Sequence, residues 1–151
     1  MNRDFVEMLS ALSDAGAEYL VVGAHALAAH GYVRATGDLD LWVRPKPTNA
    51  QRVWLALQTF GAPLHSLNES ELSQPDLIFQ IGVPPQRIDI LTSITGVEFE
   101  EAWNSRIEVM IEGRSVPVIG RSDLIANKRA SGRPRDLADV DELTRVREST
   151  D

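Results

Sequence analysis

The sequence lacks cysteine altogether, which excludes disulfide bonds, thiolate metal sites and cysteine nucleophiles. It also lacks any apolar run near the ~18–20 residues that a membrane-spanning helix needs. The opening stretch MNRDFVEMLSALSDAG contains acidic side chains and no long apolar run, so it does not have the pattern of a signal peptide. From these absences we expect a cytoplasmic protein that does not associate with a membrane.

Basic side chains are in the minority. The chain has 15 Lys and Arg against 22 Asp and Glu, a net charge of −7, which argues against a protein that coats nucleic acid. The basic residues that are present are unevenly placed, and a cluster of them lies at Lys128, Arg129, Arg133 and Arg135. Such a cluster fits the recognition of phosphate at one place, although it could also be a solvated helix end and loop.

The length and the composition are those of an ordinary globular protein. With 151 residues, of which 43% are hydrophobic and 25% charged, the chain is expected to form one domain over 1–151. Its C-terminal part, about 121–148, is expected to be helical.

The stretch 18–43 has the most informative pattern. Its apolar run Tyr19–Val22 predicts a buried strand, which Gly23 ends. The Ala-rich segment Ala24–His30 then predicts a short helix, closed by Gly31. A strand, a glycine and a helix in this order place backbone N–H groups at a sharp turn, where a phosphate can bind.

A second predicted strand carries two acidic side chains on one face. Because side chains alternate along a strand, Asp38 and Asp40 share a face while Leu39 and Leu41 point into the core. Asp89 has a similar setting in the alternating segment 87–91. If these strands are neighbours, three carboxylates converge and can hold two divalent cations about 3.5–4 Å apart, with Mg²⁺ or Mn²⁺ preferred by oxygen ligands.

The other elements follow from periodicity and from breaking residues. Thr48 is the predicted N-cap of a helix that ends near Phe60, and Ser122 is the predicted N-cap of a helix that carries Lys128. The last helix is expected to bury Leu137, Val140 and Leu143. Further predictions are helices at 2–15 and 98–104, a loop at 64–75, a strand at 76–82 and a hairpin of 106–111 with 115–119. This order predicts an α/β (α+β) fold with a small mixed sheet and flanking helices.

The combination of motifs resembles the nucleotidyltransferase superfamily. The resemblance rests on Gly23-Ala24, on Asp38-Leu39-Asp40-Leu41 after a short helix, and on Asp89 on a later strand. The pattern Arg34-x-Thr36-x-Asp38 and the later run Lys128, Arg133-x-Arg135-Asp136-x-x-Asp139 are similar to small bacterial AbiEii-like (abortive-infection type) nucleotidyltransferases. The resemblance extends from about 18 to 143 and implies a polymerase-β-like core with C-terminal helices.

The resemblance implies a magnesium-dependent enzyme that moves a nucleoside monophosphate from an NTP, such as ATP, to a hydroxyl group. Asp38, Asp40 and Asp89 would be the metal ligands and catalytic acids, with Asp89 next to the acceptor hydroxyl. The expected phosphate and nucleotide contacts, besides the turn Gly23-Ala24, come from Arg34, Thr36, Lys128 and Asp136, and Lys128 would neutralise the departing pyrophosphate. Members of the superfamily usually have Gly or Ser where this chain has Ala24, so one hydroxyl that could hold a phosphate is missing.

The acceptor and the biological setting stay open at this point. The resemblance implies RNA (tRNA ends), protein or a small molecule as acceptor, and a cognate toxin or antitoxin as partner. One alternative function is an antitoxin or regulatory binding module with this fold, and another is a metal-dependent phosphoesterase. Among the residues, Asp89 could instead pair structurally with Arg87 or Arg106, and Lys128 could be an ordinary surface lysine.

Overall fold

A mixed six-stranded sheet forms the centre of the protein in our computed structural model, which describes residues 1–33 and 37–150, with side chains as far as Arg145. The strands in these ranges are β1 (Tyr19–Val22), β2 (Leu39–Val43), β3 (Ile78–Ile81), β4 (Ile88–Leu91), β5 (Ile107–Ile111) and β6 (Arg114–Val118). The helices are α1 (Arg3–Asp14), α2 (Gly23–Ala29), α3 (Pro47–Phe60), α4 (Phe99–Asn104), α5 (Arg121–Ser131) and α6 (Pro134–Thr150), with a 3-10 helix at Glu69–Ser73. In the described ranges, every helix is too short or too polar to cross a bilayer.

The strand order in the sheet is β3-β4-β2-β1-β6-β5. The pairs β1–β2, β3–β4 and β5–β6 are antiparallel, while β2–β4 and β1–β6 are parallel. The predicted mixed sheet with flanking helices is therefore confirmed. The parallel β2–β4 pair brings together two strands that are far apart in the sequence, and with them Asp40 and Asp89.

One face of the sheet is covered by α1 and α3. Leu39 and Leu41 of β2 are fully buried, as their alternation with the two acids predicted. The Tyr19 hydroxyl lies 3.0 Å from the Ser13 hydroxyl of α1, and the Asn49 side chain of α3 accepts a hydrogen bond from the Glu18 backbone N–H. The acidic residues of β2 thus lie on the face opposite to this core.

Two helix starts differ from the sequence-based prediction. Thr48 is not an N-cap, because α3 already begins at Pro47, whose fixed φ angle suits the first position of a helix. Ser122 is not an N-cap either, since α5 begins at Arg121 after Gly120. A side chain at Gly120 would come within 2.5 Å of the Ser105 carbonyl oxygen, so close packing of the backbone determines this start.

The buried stripe of α6 also differs from the prediction. Leu137 is 46% exposed, although Val140 and Leu143 are buried as expected. Asp136 and Asp139 occupy the remaining buried positions. Carboxylates are tolerated there because Lys128 of α5 lies next to them, 3.5 Å from Asp136 Oδ1 and 3.0 Å from Asp139 Oδ2.

Candidate active site

The three strand acids lie close together on the face of the sheet opposite to α1 and α3. In the parallel β2–β4 pair, Asp40 is the direct partner of Asp89, and Leu39 is the partner of Ile88. Asp38 immediately precedes β2 and shares the face of Asp40 through the alternation of the strand. The structure thus meets the condition that the sequence left open, because the strand with Asp89 lies beside the strand with Asp40.

Arg87 connects the first and third acids of this cluster. Its Nη2 atom lies 2.9 Å from Asp38 Oδ2, and its Nε atom lies 3.0 Å from Asp89 Oδ1. A longer contact of 3.4 Å joins Nη2 to Asp89 Oδ2. The structural pairing of Asp89 with Arg87, one of the alternatives left open by the sequence, is therefore present, and Asp38 is part of the same ion-pair network.

The carboxyl group of Asp40 is strongly perturbed by its surroundings. Burial raises the pKa of Asp40 to about 7, and the adjacent Asp89 adds to this through its charge and a side-chain hydrogen bond. The charge of Asp38 acts in the same direction, whereas Arg87 opposes the shift. Among the described residues, Arg87 thus supplies too little positive charge for three carboxylates, and the cluster favours an added proton or cation.

Gly23 allows the Asp40 carboxylate to lie against the backbone of the β1–α2 turn. A Cβ atom at Gly23 would be 2.2 Å from Asp40 Oδ2, a distance that side chains do not tolerate. Its φ angle of +68° is also one that other residues rarely adopt. The turn at Gly23-Ala24 and the acidic cluster therefore form one site, in which the first residues of α2 begin next to Asp40.

The residues of this site fit a divalent cation. Carboxylate oxygens are the ligands that Mg²⁺ and Mn²⁺ prefer. Asp38 Oδ1 is buried and accepts no hydrogen bond from the described residues, which makes it a candidate ligand oxygen. In the described ranges, however, no three His, Asp or Glu side chains are already arranged as a metal site. Arg87 and the contact between Asp40 and Asp89 occupy several of the oxygens that such a site would use.

An exposed strip of β3 extends the acidic face towards the edge of the sheet. Gln80 is the direct partner of Asp89 in the antiparallel β3–β4 pair, and Ile78 is the partner of Leu91. The side chains of Gln80 and Ile78 are both exposed, and that of Ile78 is 62% exposed. A molecule that approaches Asp89 from the edge of the sheet would meet an amide and an apolar side chain.

Lys128 and Asp136 belong to a different cluster, between α5 and α6. Lys128 is only 8% exposed, and its ammonium group contacts Asp136 and Asp139. Burial opposes ionisation of Asp136, but the hydrogen bond from Arg133 and the charge of Lys128 outweigh it and lower the pKa of Asp136. The contacts of the described residues do not join this cluster to the strand acids, and they make Lys128 a buried lysine instead of a surface one.

Two predicted nucleotide contacts, Arg34 and Thr36, lie outside the described residues, and Ala24 is the second residue of α2. Arg87 is the residue of the site for which the sequence predicted no functional role. Its position two residues before Asp89 already places it on the acidic face. That signal does not say which carboxylates the guanidinium contacts, because this depends on the pairing of β4 with β2.

Comparisons with known proteins identify the family of the chain and its fold. The sequence profile of a family described as "Nucleotidyl transferase of unknown function (DUF2204)" matches residues 1–151. A lincosamide antibiotic adenylyltransferase, LnuA, solved with lincomycin bound, is similar in structure with a TM-score of 0.62 and 14% identity, over 97% of this chain and 98% of LnuA. The predicted nucleotidyltransferase TM1012 of Thermotoga maritima is similar with a TM-score of 0.59 and 13% identity, over 98% of this chain and 91% of TM1012.

At these identities the two solved structures are evidence for the fold alone. They agree with the α/β fold, a mixed sheet with flanking helices, that the sequence predicted. No curated protein matches the sequence of this chain.

Proposed function

The chain belongs to the nucleotidyl transferase family whose profile covers residues 1–151, and on this premise we propose that it transfers a nucleoside monophosphate from an NTP to a hydroxyl group with the help of Mg²⁺ or Mn²⁺. The observation that carries the proposal is the placement of Asp40 directly opposite Asp89, next to the turn at Gly23. Two opposed acids in the middle of a sheet are costly without a cation, and a nucleotidyltransferase is a protein in which such a cation has a use.

Asp38, Asp40 and Asp89 are the proposed metal ligands. Asp38 offers a buried oxygen without a hydrogen-bond donor from the described residues, and Asp40 gains a counter-charge for a carboxylate that its surroundings otherwise keep partly protonated. The chemistry supplied by bound Mg²⁺ at such a site is neutralisation of phosphate oxygens during displacement at phosphorus.

Gly23 and Ala24 are the proposed donor-side residues. The first N–H groups of a helix have no partner within the helix, so those that open α2 are available to phosphate oxygens beside Asp40. The absence of a side chain at Gly23 is what allows Asp40 to approach this turn. Arg34 and Thr36 stay predicted nucleotide contacts.

The acceptor is proposed to lie on the Asp89 side of the cluster, over the exposed strip of β3. There Asp89 accepts the proton of the acceptor hydroxyl, whose oxygen attacks the α-phosphorus of the NTP. A bond from the acceptor oxygen to phosphorus forms, the bond from phosphorus to the bridging oxygen breaks, and pyrophosphate leaves. Gln80, opposite Asp89, is placed to hydrogen-bond to the acceptor.

The role of Lys128 stays a prediction of the sequence, in which it neutralises the departing pyrophosphate. Its contacts with Asp136 and Asp139 support a second role, the fixing of α6 against α5. A phosphate would have to compete with these two acids for the ammonium group. We therefore assign Asp136 to this internal pairing and treat direct contact of Lys128 with phosphate as the point to be tested.

The nature of the acceptor is argued from charge. Of the basic cluster, Lys128 is buried and Arg133 is paired with Asp136, so fewer cations are available for an RNA backbone than the sequence alone indicated. The net charge of −7 also opposes a polyanionic acceptor. A hydroxyl group on a small molecule or a protein is favoured over RNA. LnuA, which is described as an antibiotic adenylyltransferase, is an example of a protein with this fold that acts on a small molecule.

The test is incubation of the purified protein with Mg²⁺ and each α-labelled NTP in turn. Total RNA, a protein lysate and a metabolite extract serve as separate acceptors, and an Asp40→Asn variant is run in parallel. Label in one acceptor class, lost in the variant, supports the proposal and identifies donor and acceptor class together. An equal reaction by the Asp40→Asn variant would contradict it.

Two other outcomes would point to the alternative functions. Release of the label as free nucleotide from every NTP, with no labelled acceptor, would indicate a phosphoesterase. Co-purification with a stable partner such as a toxin, together with no labelling in any acceptor class, would indicate a regulatory binding module.

A further inference from the structure

The side chain of Arg87 contacts two of the three carboxylates that would hold a divalent cation. Its Nη2 and Nε atoms contact Asp38 Oδ2 at 2.9 Å and Asp89 Oδ1 at 3.0 Å. These oxygens belong to two of the three proposed metal ligands. A guanidinium group and a metal ion therefore compete for the same lone pairs.

We propose that Arg87 is the internal counter-cation of the metal-free site, and that it must leave Asp38 and Asp89 when Mg²⁺ or Mn²⁺ binds. The inference rests on the proposed function, since it assumes that the cluster binds a divalent cation. It adds a residue that controls metal affinity to the three carboxylates of the proposed function.

The electrostatics of the cluster support a competing role for Arg87 over a purely scaffolding one. Three carboxylates on one face repel each other, and in the part of the chain that the structure describes, Arg87 contacts two of them. It does not satisfy the cluster, because Asp38 Oδ1 receives no hydrogen bond from the described residues. A divalent cation neutralises more charge than one guanidinium group, so the exchange favours the metal once it is present.

The position of Arg87 allows it to move. Its side chain is 28% exposed, and it lies directly before β4, at the end of the connection from β3. The Arg87 backbone carbonyl accepts a hydrogen bond from the Leu39 N–H at 3.0 Å, which anchors the main chain while the side chain remains accessible to solvent. Release from the carboxylates therefore requires rotation of the side chain alone.

The test is a titration with Mn²⁺ in the absence of nucleotide, followed by the electron paramagnetic resonance signal of free Mn²⁺. Arg87→Gln removes the charged hydrogen bonds that compete with the metal for Asp38 and Asp89. We expect this variant to bind Mn²⁺ about ten-fold more tightly than the wild type. Arg87→Lys keeps the charge but loses the planar fork, and its affinity should fall between the two. Arg114→Gln removes the same charge from a single ion pair with Asp14 and should leave the affinity unchanged.

The direction of the effect decides the question. If Arg87 only held the carboxylates in place for the metal, Arg87→Gln would bind Mn²⁺ more weakly, and equal or weaker binding overturns the inference. Asp40→Asn separates this failure from failure of the proposed function. If Asp40→Asn abolishes Mn²⁺ binding but Arg87→Gln does not tighten it, the inference is wrong and the proposed metal site stands. Absence of Mn²⁺ binding in both the wild type and Arg87→Gln overturns the inference and the metal site together.

A second measurement does not depend on how well Arg87→Gln folds. This measurement is an NMR spectrum of the arginine side-chain N–H groups. The signal of the Arg87 Nε–H group is identified as the one that is present in the wild type and absent in Arg87→Lys. In EDTA it should exchange slowly with water, because Nε donates to Asp89. Saturating Mg²⁺ should move it to the position of an exposed arginine, and a signal that does not change would overturn the inference.

Discussion

Asp40 lies directly opposite Asp89 in the parallel pairing of β2 with β4. Like charges at directly opposed positions destabilise a sheet, and burial of Asp40 adds to the cost. The pKa of Asp40, raised to about 7 chiefly by burial and next by the charge of Asp89, reports the same conflict. A bound cation would relieve this repulsion, which is why we propose that the pair belongs to a cation site.

Asp40→Asn should separate function from folding. Asn has the size of Asp without its charge, so it removes both a proposed metal ligand and a source of repulsion. We expect transfer to fall by about 100-fold or more, while the free energy of unfolding without metal is unchanged or higher. Initial rates with α-labelled NTP and urea titrations measure the two effects. Asp141→Asn, at an exposed position of α6, is the matched control and should change neither.

The stability of the metal-free protein should depend on pH through Asp40. The pKa of Asp40 is about 7 in the folded protein, against 3.8 for the ordinary carboxyl group. Between these values the folded state keeps a proton that the unfolded state has lost. The stabilisation from this group is therefore complete below about pH 4, decreases as the pH rises, and is lost above about pH 7.

The measurement that isolates this effect is the difference in unfolding free energy between Asp40→Asn and the wild type, taken at several pH values in EDTA. The unfolding free energy of the variant minus that of the wild type should increase by about 1–2 kcal/mol from pH 4 to pH 7 and stay constant above pH 7. This value includes a reduction for solvent screening. A difference that does not vary with pH would contradict the assignment of the raised pKa to Asp40.

Gly23→Ala should remove activity through a single methyl group. That methyl group would lie 2.2 Å from Asp40 Oδ2, so either the carboxylate or the turn must move. We expect loss of transfer together with a loss of stability of more than about 1 kcal/mol. Gly61→Ala is the matched control, because Gly61 also has a positive φ angle but a methyl group there would meet no atom within 4 Å among the described residues. It should lose about 1 kcal/mol and keep full activity, and a similar loss of activity in both variants would contradict the account.

Lys128→Met should act on stability more than on catalysis. It leaves the buried acids Asp136 and Asp139 without their lysine partner, which costs about 3–5 kcal/mol when a buried pair is broken. Arg129→Gln, at the next and exposed position of α5, should change stability by less than about 0.5 kcal/mol. Thermal and urea unfolding measure both. An unchanged stability of Lys128→Met with a raised KM for NTP would favour the pyrophosphate contact predicted from the sequence.

The sequence was sufficient to predict the strands of the site and the faces of their side chains. Alternation placed Leu39 and Leu41 in the core and Asp38 and Asp40 on the other face, because a period of two is a local property of a strand. The position of Asp89 beside Asp40 was a condition in the sequence argument, since it depends on which strands pair. The structure supplies that pairing.

The sequence was not sufficient to predict which charged side chains are buried, because their burial depends on a partner that is distant in the sequence. Leu137 was predicted to be buried because it is apolar, yet Asp136 and Asp139 take the inner positions of α6 next to Lys128. Hydrophobic periodicity cannot identify such a pair, since its energy comes from a contact between two helices. Arg87 is a similar case, because its contact with Asp38 requires the register of β4 against β2.

The central claim is that the three strand acids bind a metal–nucleotide complex, and calorimetric titration with a non-transferable NTP analogue tests it most directly. With Mg²⁺ present, the wild type and Asp141→Asn should bind the analogue with equal affinity. Binding should be lost in EDTA and in both Asp40→Asn and Asp89→Asn. Binding to the Asp40→Asn and Asp89→Asn variants as tight as to the wild type, with no need for Mg²⁺, would contradict the account.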